Sequence, residues 1–345
     1  MKQVLFVINT EGHLLSMASL IFDQFNLENG YQPYVLQIGL SGSPRFKNQI
    51  NRELLTDYYF QIDPDSRFLK KDLEIILDQS FERVFIFLEQ LSINVFLVDY
   101  FKKKGSIICL APDGNNPYLT YEKSMIPYRI RKTFLTYKYL ASKKLAYKRL
   151  YFLNMNYGHT KPLDEIWVTF PGSYPNKTNK KVVGFNVLSN PACVNKTAAL
   201  FNFNITNDLP VTNDIIFYLN NPGYKENTYH AEIEVINFIR KKYPEKPFYL
   251  KQHPHTPESQ SEAFNNLGIQ TFSNSIPAEL YIGSIHNSTV ISCWSAALMI
   301  NNPGCRFFWL YKYLMKTGDM VDFMSLSNPT THIQCIENLN EIKTL

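Results

Sequence analysis

The sequence predicts an α/β protein built as two Rossmann-like domains facing a central cleft. Three observations predict it. The chain has 345 residues, and at about 100–200 residues per domain two domains are the first expectation. Short apolar runs rich in β-branched and aromatic residues alternate with stretches of helical periodicity, as βαβ units do. That alternation restarts near residues 152–175, which divides the chain into an N-terminal domain of residues 1–160 and a C-terminal domain of residues 161–345.

In the first half, Val4–Asn9 reads as a buried strand, and Leu15, Ala18, Ile21 and Phe22 mark one face of a helix over Leu14–Phe25. Tyr34–Ile38 is a second strand, Leu69–Leu77 an amphipathic helix and Val84–Leu88 a third strand. Val95–Lys103 is a helix closed by Gly105, and Ser106–Ala111 a fourth strand that runs into Pro112-Asp113-Gly114. A basic helical region covers Pro127–Tyr151. In the second half, strands are expected at Glu165–Phe170, Ile215–Leu219, Phe248–Lys251, Gly268–Thr271 and Thr289–Ser292. Helices are expected at Ala231–Lys242, from Ile276 and from Ser295, and a polar stretch without elements runs to about Asn213.

Composition excludes several classes. Hydrophobic residues are 45% of the chain and aromatic residues 14%, enough for two cores and incompatible with disorder. The net charge of +5, from 35 Lys and Arg against 30 Asp and Glu, is too small to argue for nucleic acid. The five cysteines form no CxxC and no metal-ligand spacing with histidine, so reduced thiols are expected. The apolar run after Met1 is too short for a signal peptide and reads as the first strand. No stretch of about 18 apolar residues spans a membrane, so a cytoplasmic location, at most on the inner membrane face, is the expectation.

Chemistry-bearing residues gather at strand ends, where open α/β sheets bind ligands. Asp113, before Gly114, stands where a general base belongs, although Asp-Gly also suits an ordinary turn. Lys251-Gln252-His253-Pro254 puts a cation and an imidazole at another strand end, suited to phosphate; a surface histidine beside a turn proline is the alternative, and His255 is the weaker candidate. Ser292 and Ser295 bracket a strand-to-helix junction that could bind an anion or be a plain cap. Glu279 follows Pro277 in a helix start, either as ordinary first-turn chemistry or as an acceptor for ribose hydroxyls. Asn220 ends the strand Ile215–Leu219. Asp63-Pro64-Asp65 sits in a polar loop and reads as a turn, not a metal site.

The order of these motifs resembles that of a known family. Asp113-Gly114, then Lys251-Gln252-His253-Pro254, then Pro277-Ala278-Glu279, then Ser292 to Ser295 resembles the bacterial sialyltransferases of GT-B architecture. The likeness is nearest to the lipooligosaccharide sialyltransferases (glycosyltransferase family 52) and their polysialyltransferase relatives. The opening Val7-Ile8-Asn9-Thr10-Glu11-Gly12-His13-Leu14-Leu15 and Phe170-Pro171-Gly172-Ser173-Tyr174 also look like that group, so the likeness covers roughly residues 1–310. It implies an inverting transfer of sialic acid from CMP-sialic acid to a lipooligosaccharide or capsular glycan, with no metal and no other cofactor. Asp113 would deprotonate the acceptor hydroxyl, with Thr10, His13 and Gly114 on the acceptor side. His253 would meet the CMP phosphate and help CMP leave. Lys251 would lie near the cytosine, Glu279 would hold the ribose, Ser295 with Ser292 would bind phosphate, and Asn220 belongs to the same nucleotide side. Two departures stand out: the acidic-acidic-Gly motif keeps only its second acid, and the Ser-Ser/Thr pair is Ser295-Ala296.

Alternatives remain at this point. One is a GT-B enzyme with another donor, such as CMP-Kdo or a UDP-sugar. Others are an epimerase or hydrolase of the same shape, or a nucleotide-binding module without activity. The expected partners are the CMP-sugar and a glycan or glycolipid acceptor, no nucleic acid, with room for a homodimer. The stretch Arg129–Arg149 carries eight cations and no acid, interleaved with Tyr, Phe and Leu. It reads either as a solvated basic face or as a peripheral contact with an anionic membrane.

Overall fold

The structure, a computed structural model, describes residues 1–10, 12–39, 50–121, 126–145, 156–175, 178–204, 211–220, 226–253, 256–272, 276–316 and 324–344. Pro254, His255, Lys148 and Arg149 lie outside the described residues. The chain divides into two compact units, residues 1–200 with 324–327 and residues 201–323 with 328–345.

Unit 1 is built on seven parallel strands: β1 (Lys2–Ile8), β2 (Tyr31–Ile38), β3 (Tyr59–Ile62), β4 (Arg83–Ile86), β5 (Ile107–Leu110), β7 (Glu165–Val168) and β8 (Lys181–Gly184). Their order in the sheet is β3-β2-β1-β4-β5-β7-β8. Val4 to Ile8 have no exposed surface, as a central strand covered on both faces requires. The helices are α1 (Gly12–Asp23), α2 (Leu69–Leu77), α3 (Ser92–Lys103), α4 (Ile126–Ser142) and α5 (Pro191–Leu200). A short antiparallel ribbon pairs β6 (Leu119–Tyr121) with β14 (Met324–Leu326). The strand order runs outward one way from β1 to β3 and the other way from β4, so the switch point lies between β1 and β4.

The expected division at 160/161 is corrected to 200/201. The cause is pairing and packing. β7 continues the sheet from β5, and β8 from β7. Trp167 packs edge-on to Phe85 at 5.3 Å, in a cluster where Phe85 also stacks on Phe6 at 5.0 Å. Arg83 Nη1 donates to Glu165 Oε2 at 2.6 Å. The polar composition of residues 178–200 hid the strand β8 and the helix α5.

Unit 2 repeats the plan with six parallel strands: β9 (Ile216–Leu219), β10 (Phe248–Lys251), β11 (Gln270–Phe272), β12 (Ser288–Ser292), β13 (Cys305–Trp309) and β15 (Ile333–Cys335). Their order is β11-β10-β9-β12-β13-β15. Its helices are α6 (Glu226–Lys242), α7 (Glu258–Asn265), α8 (Ala278–Ile282) and α9 (Tyr311–Lys316). The switch point here lies between β9 and β12. The helix expected from Ser295 is corrected: Ala296–Met299 is a four-residue 3-10 turn. Pro303 follows closely and biases the chain before it away from helix. Among the described residues no helix is long and apolar enough to cross a membrane.

Candidate active-site residues

In unit 1 the chain leaves β1 into Asn9, which anchors the switch point. Asn9 Nδ2 donates to the Ile38 carbonyl at 3.2 Å, while Asn94 Nδ2 on α3 donates to Asn9 Oδ1 at 2.8 Å and to the Leu88 carbonyl at 2.7 Å. Both amides are buried, so each hydrogen bond carries structural weight. The Asn9 backbone N–H donates to His13 Nδ1 at 3.1 Å. That bond leaves the ring proton on Nε2. His13 is fully buried and stacked on Phe87 at 4.9 Å.

His13 Nε2 reaches Asp113 Oδ1 at 3.1 Å. On the other oxygen, Asn116 Nδ2 donates to Asp113 Oδ2 at 2.7 Å. The turn after β5 closes with the Asn116 N–H on the Asp113 carbonyl at 3.1 Å. Gly114 takes φ +55° there, a backbone state that disfavours a side chain. Asp113 keeps 26% of its side chain exposed, against none for His13. The carboxylate is thus fixed by two neutral donors and still open to a ligand. Of the acceptor-side residues, Thr10, His13, Asp113 and Gly114 all lie at the carboxyl ends of β1 and β5, and the His13 N–H is bonded to the Thr10 carbonyl at 3.2 Å.

The sequence reading missed a second set beside this one. Glu89 follows β4 and is buried. Its two oxygens accept the N–H groups of Gly158 at 2.6 Å and Thr160 at 3.0 Å. Lys180 Nζ donates to the carbonyls of the same two residues, each at 2.7 Å. Burial raises the Glu89 pKa, against the Thr160 and Gly158 hydrogen bonds and the Lys180 charge. The loop so clamped presents Tyr157, whose buried hydroxyl has no hydrogen-bond partner among the described residues. Burial pushes the Tyr157 pKa up, and the Glu89 and Asp113 carboxylates add to it. No motif marks Glu89 or Tyr157; only the fold brings them to Asp113.

In unit 2 the candidates gather at the ends of β9, β10 and β12. Asn220 Oδ1 accepts the Thr256 hydroxyl at 2.7 Å and the His253 N–H at 3.4 Å. Its Nδ2 donates to Glu232 Oε2 at 2.9 Å, and Tyr218 Oη donates to Glu232 Oε1 at 3.1 Å. Tyr218, Asn220 and Glu232 are all buried. Asn220 therefore ties the turn carrying His253 to a buried acid on α6 that the sequence reading did not single out.

Lys251 is buried at the end of β10, with Nζ on the Gln252 carbonyl at 3.2 Å. Burial lowers its pKa to about 8, against the opposing charge of Glu279. Glu279, half-buried in α8, has its pKa raised by burial, against its own backbone N–H and Lys251. Ser292 Oγ accepts the Ser295 N–H at 3.2 Å, and Ser295 Oγ accepts the Ala297 N–H at 3.2 Å. Each hydroxyl keeps its own proton to donate. With no helix behind it, anion binding at Ser295 would rest on these hydroxyls rather than on a helix dipole.

The Lys251 shift gives a test with a definite sign. Between about pH 8 and its ordinary value of 10.5 the folded state binds fewer protons there than the unfolded state. Stability must then rise with pH across that window, by up to about 3 kcal/mol. Urea unfolding from pH 8 upward should show wild type gaining on Lys251→Met; parallel curves would mean that the ammonium is not desolvated.

Asp63-Pro64-Asp65 is a turn, with the Asp65 N–H on Asp63 Oδ1 at 2.9 Å. The cysteines are free thiols.

No family model and no curated protein matches the sequence. Solved structures do match the fold. An α/β-galactoside α-2,3-sialyltransferase from the marine bacterium Photobacterium phosphoreum matches over 99% of this chain and 100% of its own, with a TM-score of 0.53 and 14% identity. The GT-B domain of a Photobacterium damselae sialyltransferase matches over 90% of this chain and 91% of its own, with a TM-score of 0.48 and 13% identity. A UDP-GlcNAc 2-epimerase from Neisseria meningitidis matches over 84% of this chain and 77% of its own, with a TM-score of 0.43 and 12% identity. The chain has the two-domain α/β fold of the GT-B class. The match with the Photobacterium phosphoreum sialyltransferase spans both chains end to end, and at such identity the likeness is one of fold.

Proposed function

We propose that this protein is an inverting sialyltransferase that moves sialic acid from CMP-sialic acid to a glycan acceptor. The observation that carries the reading is Asp113: a partly exposed carboxylate at the carboxyl end of β5, held by His13 on one oxygen and Asn116 on the other. In the reaction, the acceptor hydroxyl gives its proton to Asp113 as its oxygen attacks the anomeric carbon. The bond from that carbon to the CMP phosphate breaks, and its electron pair leaves with CMP. His13 does not take the proton, because its Nδ1 is already occupied by the Asn9 N–H. It orients the carboxylate and donates to it.

On the donor side, Lys251 is a buried cation beside the Glu279 carboxylate and would lie near the cytosine. The hydroxyls of Ser292 and Ser295 would donate to phosphate, His253 would meet the leaving phosphate and Glu279 the ribose hydroxyls. A phosphate monoester leaving group can be stabilised by such donors alone, so the proposed reaction uses no metal, and turnover should persist in excess EDTA. The proposed acceptor is a lipooligosaccharide or capsular glycan. The proposed location is cytoplasmic.

Thermal unfolding with nucleotides tests the donor. CMP at a hundred times its Kd should stabilise the protein by about 2.7 kcal/mol, UDP and GDP should not, and Ser295→Ala should shrink the CMP shift. Protection by UDP alone would reject the sialyltransferase reading and leave the fold assignment intact.

A further inference from the structure

α4 is built inside out. Its buried side chains are Thr133, Thr136 and Leu140, two of them polar. Its exposed side chains include Ile126, Tyr128, Ile130, Phe134 and Leu135. Twelve large hydrophobic side chains are exposed among the described residues, and five fall within these ten positions of one helix. Phe134 is 66% exposed, Ile130 53% and Leu135 47%. A helix that merely packs on its domain would turn such residues inward.

Spacing places them on one face. Ile130, Phe134 and Lys138 follow at intervals of four, and Arg131 and Leu135 do the same alongside. Arg131 and Lys138 are exposed with them, and Lys144 is exposed in the turn just past the helix. Residues 126–145 hold six cations and no carboxylate. The opposite side is fastened: Ser92 Oγ on α3 donates to Thr136 Oγ1 at 3.3 Å, Tyr139 Oη to the Pro64 carbonyl at 2.7 Å, and Lys143 Nζ to the carbonyls of Asp65 at 2.8 Å and Ser66 at 3.1 Å. Lys143 therefore braces the helix and is not part of the outward charge.

We infer that the outer face of α4, with the turn that follows it, is an interfacial anchor for an anionic lipid surface, with Ile130, Phe134 and Leu135 entering the acyl boundary and Arg131, Lys138 and, past the helix end, Lys144 meeting the headgroups. Charge decides against the other occupants. A two-fold contact between copies through this face would set cations against the same cations. An acidic glycan would pair with the cations but would leave Ile130 and Leu135 in water. Anionic lipid satisfies both halves of the face. The inference concerns where unit 1 docks and is independent of which nucleotide-sugar is the donor.

Vesicle sedimentation tests it with the intact protein. Wild type should bind phosphatidylcholine vesicles containing phosphatidylglycerol, should not bind pure phosphatidylcholine, and should be released by high salt. The triple variant Arg131→Gln, Lys138→Gln, Lys144→Gln should partition up to about 100-fold more weakly. The variant Ile130→Ser, Phe134→Ser, Leu135→Ser should lose about 10-fold or more. Both change exposed side chains, so melting temperature and transfer to a small soluble acceptor should stay as in wild type. Independently, Phe134→Trp should gain a fluorescence component quenched by brominated lipid. Equal binding to both kinds of vesicle, wild-type binding by both triple variants, or an unquenched tryptophan would overturn the inference. So would a wild-type dimer that the serine variant converts to monomer, since the face would then be a contact between copies.

Discussion

Replacing Asp113 with asparagine should reduce transfer by about 10²–10⁴-fold, the range a general base contributes, while leaving the fold in place. The local bonds allow this separation. The oxygen of the introduced amide would still accept from His13 Nε2, as Asp113 Oδ1 does at 3.1 Å. The amide nitrogen would then face Asn116, which now donates to Asp113 Oδ2 at 2.7 Å. A rotation of the partly exposed Asn116 amide turns its oxygen toward that nitrogen and restores the bond. Packing is unchanged and only basicity is removed. The expected result is a fall in kcat with KM for the donor, melting temperature and CMP stabilisation all close to wild type. Turnover at the wild-type rate would take Asp113 out of the mechanism. A fall in melting temperature of the same size as that of a core truncation would mean that the carboxylate is structural.

What the sequence could tell followed from how locally each element is encoded. β10 is found where its apolar run ends, at Phe248–Lys251, and α2 at Leu69–Leu77 where the helical stripe lies. Such elements bury one continuous face, and their period shows it. β8 has a half-exposed burial pattern and sits at the sheet edge, so it carries no apolar run to read. The same holds for α5, which buries only Cys193, Thr197 and Leu200. With both hidden, the domain boundary was set about forty residues early. Site residues divide in the same way. The placement of Asp113, His253 and Asn220 was legible because they follow strands, where chain direction alone puts them at the edge at which open α/β sheets bind ligands. Glu89 and Glu232 are placed by partners outside their own segments: Glu89 bonds Gly158 and Thr160, and Glu232, in the middle of α6, bonds Asn220. Nothing near either residue signals that pairing.

The same long-range pairing makes Glu232→Gln the most informative change in unit 2. The acid is fully buried and receives two donors, the Tyr218 hydroxyl and the Asn220 amide. The introduced glutamine could keep the bond from Tyr218 on its amide oxygen. Its amide nitrogen would then oppose the donating Nδ2 of Asn220. If Asn220 holds its place, two donors face each other in a buried site. If Asn220 turns over, its oxygen leaves the Thr256 hydroxyl and the His253 N–H. Either way, or if the glutamine reverses and donates to Tyr218 Oη, one buried donor loses its acceptor, at a cost of about 1–3 kcal/mol. Glu232→Leu removes both acceptors and should cost about twice that. The two outcomes for Glu232→Gln separate by a second measurement. Opposed donors lower stability and spare the nucleotide. A turned Asn220 frees the His253 turn, so the CMP-induced stabilisation shrinks beyond what the lower melting temperature explains. Thr256→Val, which removes only the 2.7 Å bond to Asn220, should then reproduce the weakened CMP response at a smaller stability cost. If Glu232→Gln keeps both wild-type stability and the wild-type CMP response, Glu232 does not position His253 through Asn220.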